Sequence, residues 1–173
     1  ISCALSQGIA AAAAVVVGNL IGEGKRDELD RPIRLLQHIG ALSGTAACLF
    51  ILAIIPLMPK IYNITPETFS VLTQIMIVGG FIEIFRCIGF VNNVGILRGG
   101  GDARFVFFND VFYLWVFCIP LGWWCCQQAK IPLFLVFFIL RCDDVIKAFV
   151  GNWRIHQGHW IHQVTVQPEG SPR

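Results

Sequence analysis

Charge is what this sequence has least of. Charged residues fill 14% of its 173 positions, where a water-soluble domain carries roughly 25%. With 55% hydrophobic residues and a mean hydropathy of +0.67, the chain is no disordered segment and no ordinary soluble domain. A net charge of +2 is too small to attract nucleic acid. The 17 Gly follow no three-residue period, which excludes collagen. The 7 Cys include no Cys-x-x-Cys pair and give no disulfide framework; most sit in apolar runs, where a free Cys is a small hydrophobe. Ser, Cys and His form no nucleophile arrangement, so no catalytic site, metal or cofactor is expected. The chain lacks an initiator Met and has no basic segment before its first apolar run. It therefore reads neither as a signal peptide nor as a natural N-terminus, and a fragment is expected.

What is there is apolar length. Five segments, at roughly 2–21, 35–58, 69–97, 104–127 and 132–153, reach the about 20 residues a bilayer-spanning helix needs. Strands would leave open edges in lipid, so the expected fold class is an all-α membrane bundle over residues 1–155. A polar tail follows over 156–173. The third segment exceeds one span and should tilt, kink at Gly79-Gly80 or Gly89, or protrude. Asp102 is placed to cap the fourth helix.

Positive charge is lopsided between loops. Lys25, Arg26, Arg31, Arg34, Arg98, Arg104, Lys147, Arg154 and Arg173 fall on one side, and only Lys60 and Lys130 on the other. The positive-inside rule then puts the C-terminus in the cytoplasm and residue 1 outside.

Two loop entries share Gly-x-Leu-x-Gly-x-Gly: Gly18, Leu20, Gly22 and Gly24, then Gly95, Leu97, Gly99 and Gly101. No strand precedes either and no Gly-Lys-Ser/Thr follows, so helix termination and close backbone approach explain them better than phosphate binding. These stretches carry a resemblance. Gln7-Gly8 through Gly18-Asn19-Leu20-Ile21-Gly22-Glu23-Gly24 resembles a helix end of the MATE (multidrug and toxic compound extrusion) family. So does Gly95-Ile96-Leu97-Arg98-Gly99-Gly100-Gly101-Asp102-Ala103-Arg104-Phe105 with Asp110, Trp115 and Pro120-Leu121. Asn152-Trp153-Arg154 with Gly158 and Trp160 resembles the family's ending. The resemblance implies about five helices of the C-terminal six-helix bundle of a twelve-helix transporter, with the upstream helices as missing partners.

Glu83 and Arg86 share one face of the third span. Counting about 1.5 Å per residue from Val71 puts Glu83 roughly 18 Å deep, near the middle of a ~30 Å core. An ion or proton site and a structural ion pair stay equally open there. The resemblance implies a cation-binding side chain on this helix near this depth. Other members often hold a carboxylate one turn nearer the Arg98 loop, where this chain has Cys87. Asn92 and Asn93 line a cavity or bond across helices. Arg141, Asp144 and Lys147 recur at i, i+3 and i+6, with Asp143 beside them, and favour mutual neutralisation. Asp110 reads as a helix-packing hydrogen-bonder. For His156, His159 and His162, interleaved with Trp153 and Trp160, an interfacial aromatic belt outweighs metal binding; Trp123 and Trp124 suit a belt on the other face.

The implied function is secondary antiport at the cell membrane: export of small organic, often cationic, compounds in exchange for Na⁺ or H⁺, with membrane lipid as the surrounding partner. A lipid-linked precursor flippase of a related twelve-helix family, and an inactive truncated or non-transporting membrane protein, are the alternatives. The orientation is testable. On intact cells a membrane-impermeant thiol reagent should reach Cys125 and Cys126 before a Cys introduced at Gly100, and the reverse order overturns it.

Overall fold

The computed structural model describes residues 2–25, 28–62, 65–127, 132–158 and 160–161. Arg26, Lys130, His159, His162, Arg173 and the expected tail beyond residue 161 lie outside the described residues, as does the Cys126 side chain. The described chain is helical: α1 Ser2–Gly22, α2 Asp30–Ile54, α3 Met58–Ile61, α4 Pro66–Phe90, α5 Ala103–Tyr113, α6 Ile119–Gln127 and α7 Leu133–His156. A 3₁₀ turn, Ile55–Leu57, joins α2 to α3. It forms where Pro56 lacks the N–H that would continue the α-helical ladder. The first loop is shorter than its charge suggested: α2 opens at Asp30, and Pro32 sits in the first turn, where a missing N–H costs nothing.

Two π-helical stretches follow, Val91–Leu97 after α4 and Leu114–Cys118 between α5 and α6. α4 stays α-helical through Gly79, Gly80 and Gly89, the sites offered for a kink as one of three alternatives. The irregularity comes later, as a wide turn in which the Arg98 N–H bonds to the carbonyl of Asn93, five residues back. The second π stretch lies just before Pro120, which has no N–H to give the Val116 carbonyl.

Four helical runs are long and apolar enough to cross a membrane among the described residues: Cys3–Gly22, Asp30–Ile61, Pro66–Leu97 and Ala103–Cys125. α7 has the length, at 24 residues, but carries Arg141, Asp143, Asp144 and Lys147 in its middle and so falls short on apolarity. Its charges face partners inside the bundle, as the cost of an unpaired charge in hydrocarbon requires.

α4 and its π extension form the central rod, packed on α1, α2 and α7. Lipid offers no hydrophobic push between helices, so close backbone approach must supply the attraction. Small residues permit it. On α2, Gly40, Gly44 and Cys48 recur every four residues along the buried face. A Cβ at Gly44 would stand 2.8 Å from the Cα of Ile84. A Cβ at Gly95 would stand 2.7 Å from the Cβ of Ala13 on α1. Gly89 meets Ala148 of α7 in the same way, at 3.3 Å from its Cα. The α5–α6 span packs only loosely on this rod. Its aromatic side chains, including Phe108, Trp115, Trp123 and Trp124, are exposed.

Both Gly-x-Leu-x-Gly-x-Gly motifs end their helices identically. Lys25 N–H bonds to Leu20 O and Gly24 N–H to Ile21 O, while Asp102 N–H bonds to Leu97 O and Gly101 N–H to Arg98 O. This is the Schellman pattern, and its left-handed position is filled by Gly24 (φ 74°) and Gly101 (φ 93°). The two motifs also meet: a Cβ on Gly18 would touch the Gly99 carbonyl at 3.7 Å.

Cys125 is buried, so Gln127, which is exposed, is the better site for an introduced outer-face cysteine in the labelling experiment. For packing, Gly44→Val should destabilise the bundle by about 1–3 kcal/mol, because backbone rather than a flexible side chain stands in the way. Gly8→Ala, which meets nothing within 4 Å inside α1, should not lower the melting midpoint in detergent. Equal midpoints for the two variants would refute the close-approach account.

Candidate functional site

Polar groups gather in the half of the bundle that lies toward the two glycine loops. A cavity of about 370 Å³ opens between α4, its π extension, α5 and α7, lined by Arg86, Asn93, Arg98, Asp110, Asp144 and Lys147 among others. Residues from three separate stretches of sequence thus face one space. Glu83 stands behind the lining, 8% exposed, and its Oε2 accepts a hydrogen bond from Arg86 Nη1 at 2.9 Å. The other Arg86 amine reaches Cys3 Sγ of α1 at 3.3 Å. Beside them the Ser6 hydroxyl and the Cys87 thiol lie 3.0 Å apart.

The remaining charges are paired too. Arg141 Nη1 donates to Asp144 Oδ2 at 3.1 Å. Lys147 Nζ donates to Asp143 Oδ2 at 3.1 Å and lies 3.5 Å from Asp110 Oδ1. Arg98 Nη2 is a looser 3.9 Å from Asp110 Oδ2. Four acids (Glu83, Asp110, Asp143, Asp144) therefore meet four bases (Arg86, Arg98, Arg141, Lys147), and the cluster is formally neutral.

The charges on α7 neutralise one another in two pairs: Arg141 holds Asp144, and Lys147 holds Asp143 one helical turn away. Asp110 ties helices together, as expected, but as a half-exposed ion partner on the cavity wall: α5 turns it toward Lys147 of α7. The two asparagines part company. Asn92, with no exposed surface, accepts from Gln37 Nε2 at 3.0 Å, and the same amine bonds to Asn152 Oδ1 at 3.0 Å. That amide bridge ties α2, the π stretch and α7. Asn93 faces the cavity, with its Nδ2 on the Lys147 carbonyl at 3.4 Å and its Oδ1 without a hydrogen-bond partner among the described residues. The wide π turn carries both side chains inward at successive positions. Gln37 was missed in the sequence; a lone amide in an apolar helix was its only signal.

At the glycine-loop end, Asp102 does not cap α5 with its side chain. Its Oδ2 is gripped by Arg154 through Nε at 3.0 Å and Nη2 at 2.9 Å, and the Arg154 guanidinium stacks over Phe105 at 4.9 Å. A charged donor outcompetes a backbone N–H for the same oxygen. Trp160 is not an interfacial residue: at 2% exposure it packs in the core and donates its indole N–H to Ile155 O at 3.0 Å. Trp153 stays exposed. Outside the spans, Lys25 lies 2.8 Å from Glu23, whose hydrogen bond and charge raise the ammonium above its ordinary pKa. No cluster of three or more potential metal ligands occurs among the described residues.

The MatE family model matches residues 1–124, more than half of the chain. No solved structure matches it significantly.

The grip of Arg154 on Asp102 gives a direct test. Arg154→Ala should cost about 3 kcal/mol by stranding a buried carboxylate. Arg154→Lys should recover only part, since a point charge replaces neither the two-nitrogen contact nor the ring stacking. Thermal unfolding of the purified protein measures both, and full recovery by Lys would show that charge alone matters.

Proposed function

The chain belongs to the MatE family of membrane transporters, and on that premise we propose that it serves secondary antiport. An organic compound, often cationic, is exported in exchange for inward Na⁺ or H⁺ across the cell membrane, with the C-terminus on the cytoplasmic side. The observation that carries this reading is the neutral charge cluster around the cavity, with Glu83 buried behind Arg86. An ionised side chain near the bilayer centre costs about 2.5–3.5 kcal/mol even on insertion scales. A carboxylate kept there is useful if it alternates between partners. Glu83 holds Arg86 in one state and a proton or Na⁺ in another. Asp144 and Asp110 present negative charge to a cationic substrate in the cavity. Ion and substrate then compete for one set of acids, and rocking of two helical bundles alternates the side to which the set opens.

One observation favours the flippase reading. Among the charged side chains that line the cavity itself, Arg86, Arg98 and Lys147 outnumber Asp110 and Asp144. An anionic lipid-linked cargo would suit that lining. The pairs behind it, with Glu83 and Asp143 against Arg141, restore formal neutrality to the whole cluster.

The deciding experiment compares abundance and gradient-driven efflux of a cationic dye in vesicles carrying the full-length protein. If Glu83 is the coupling group, Glu83→Gln keeps normal abundance and dye binding, loses the dependence of efflux on the Na⁺ or H⁺ gradient, and stays inactive when Arg86→Gln is added. If Glu83 only neutralises Arg86, the single variant loses abundance and the double variant recovers abundance and transport together.

A further inference from the structure

α4 and α7 run parallel, in matched register. Gly79 faces Phe137, Gly89 faces Ala148, and Asn93 faces Gly151, so contacts advance together along both helices. Arg86 lies three residues before Gly89, and Asp144 four residues before Ala148. Both are therefore one turn from the closest approach, at one level, and both line the same cavity. Arg86 is held by Glu83 on its own helix, while Asp144 is held through its Oδ2 by Arg141, whose side chain is 44% exposed. A guanidinium on a flexible stem thus has one carboxylate beside it on its own helix and a second, on α7, in the lining of the same cavity.

We propose that Arg86 is a two-position residue that leaves Glu83 for Asp144 when Glu83 is neutralised. The exchange rests on the reading of Glu83 as the coupling carboxylate. A proton or Na⁺ on Glu83 removes the charge that anchors Arg86. In an apolar interior a released guanidinium must find another anion, and Asp144 is the acid across the cavity at its own level. The exchange converts a local event on α4 into a new tie between α4 and α7. It also places positive charge against the acid that a cationic substrate would use, so ion and substrate exclude each other. The charged and titratable groups around this path are Cys3 on α1, Cys48 on α2, Cys87 on α4 itself, Arg98, Asp110 on α5, Cys118 on the second π stretch, and Arg141, Asp143 and Lys147 on α7. Asp144, which Arg141 also holds, lines the cavity together with Arg86 and is therefore the acceptor, whereas Asp143 is not in the lining.

Glu83→Gln mimics the neutral state and gives the test in the full-length protein. Arg86 should then depend on Asp144, although positions 83 and 144 sit on different helices. Adding Asp144→Asn to Glu83→Gln should lower the melting midpoint by about 3 °C or more beyond the sum of the single changes. In an Arg86→Met background that excess should vanish. Transport gives a second readout for a proton-driven protein, and one that survives poor expression of the double variant. Asp144→Asn alone should displace the pH profile of efflux, because Arg86 then has no second carboxylate to move to and stays paired with Glu83. The same change on Arg86→Met should leave the profile in place. Additive midpoints, or a shift that persists without Arg86, would overturn the exchange while leaving Glu83 free to couple. Gradient-dependent efflux retained by Glu83→Gln would instead remove the coupling reading itself.

Discussion

A charge in hydrocarbon must be matched by another charge, and the arrangement of this bundle follows from that. Eight ionisable groups cluster on α4, α5, α7 and the Arg98 loop, and each has an opposite charge within 4 Å. Helix α7 is the clearest consequence. It carries more charge in its middle than the other long helices, yet it packs along the central rod. Its four charges are tolerable in the interior because Arg141 and Lys147 neutralise Asp144 and Asp143 within one turn. Lys147 then reaches Asp110, an ionic tie for a span that is otherwise loosely packed.

Small residues make the second condition. Ion pairs between helices require backbones near enough for side chains to meet, and in lipid that nearness comes from Gly, Ala and Cys surfaces. The Gly40, Gly44 and Cys48 face brings α2 onto α4. Gly95 against Ala13 brings α1 onto the π stretch, and Gly89 against Ala148 brings α7. The amide bridge from Gln37 to Asn92 and Asn152 crosses the same junction. Packing and polarity therefore converge on the turn Val91–Leu97, where the helix widens and both asparagines point inward.

The glycine-loop ends of the helices are finished by a different chemistry. Two Schellman turns stop α1 and the extended α4, and Arg154 and Trp160 fold the end of α7 beneath them. This end is tightly cored, with Ile21, Leu29, Ile33, Leu97, Val106, Ile155 and Trp160 in one cluster. The proposed antiport needs such a contrast: a rigid end about which helices pivot, and a charged cavity whose pairings are free to change.

The apolar segments, their approximate lengths and the all-helical class were legible in the sequence, because a bilayer admits few other solutions for a chain this apolar. So were the helix stops, since a left-handed residue at a helix end selects Gly almost regardless of context. The pairing of Glu83 with Arg86 was legible for a like reason: three residues along one helix fix a distance. Partners across helices were not. Asp102 read as a cap because its neighbour in sequence is a helix start, and only the fold brings Arg154, 52 residues away, to the same oxygen. Trp160 read as interfacial because amphipathic rings favour that zone, and only the return of the chain end buries it. Asp110, Asp144 and Lys147 were three separate features until α4, α5 and α7 enclosed one cavity. The sequence determined where charge sits along each helix; the tertiary structure decided which charge answers it, since register and facing between helices are set by packing that no single segment encodes.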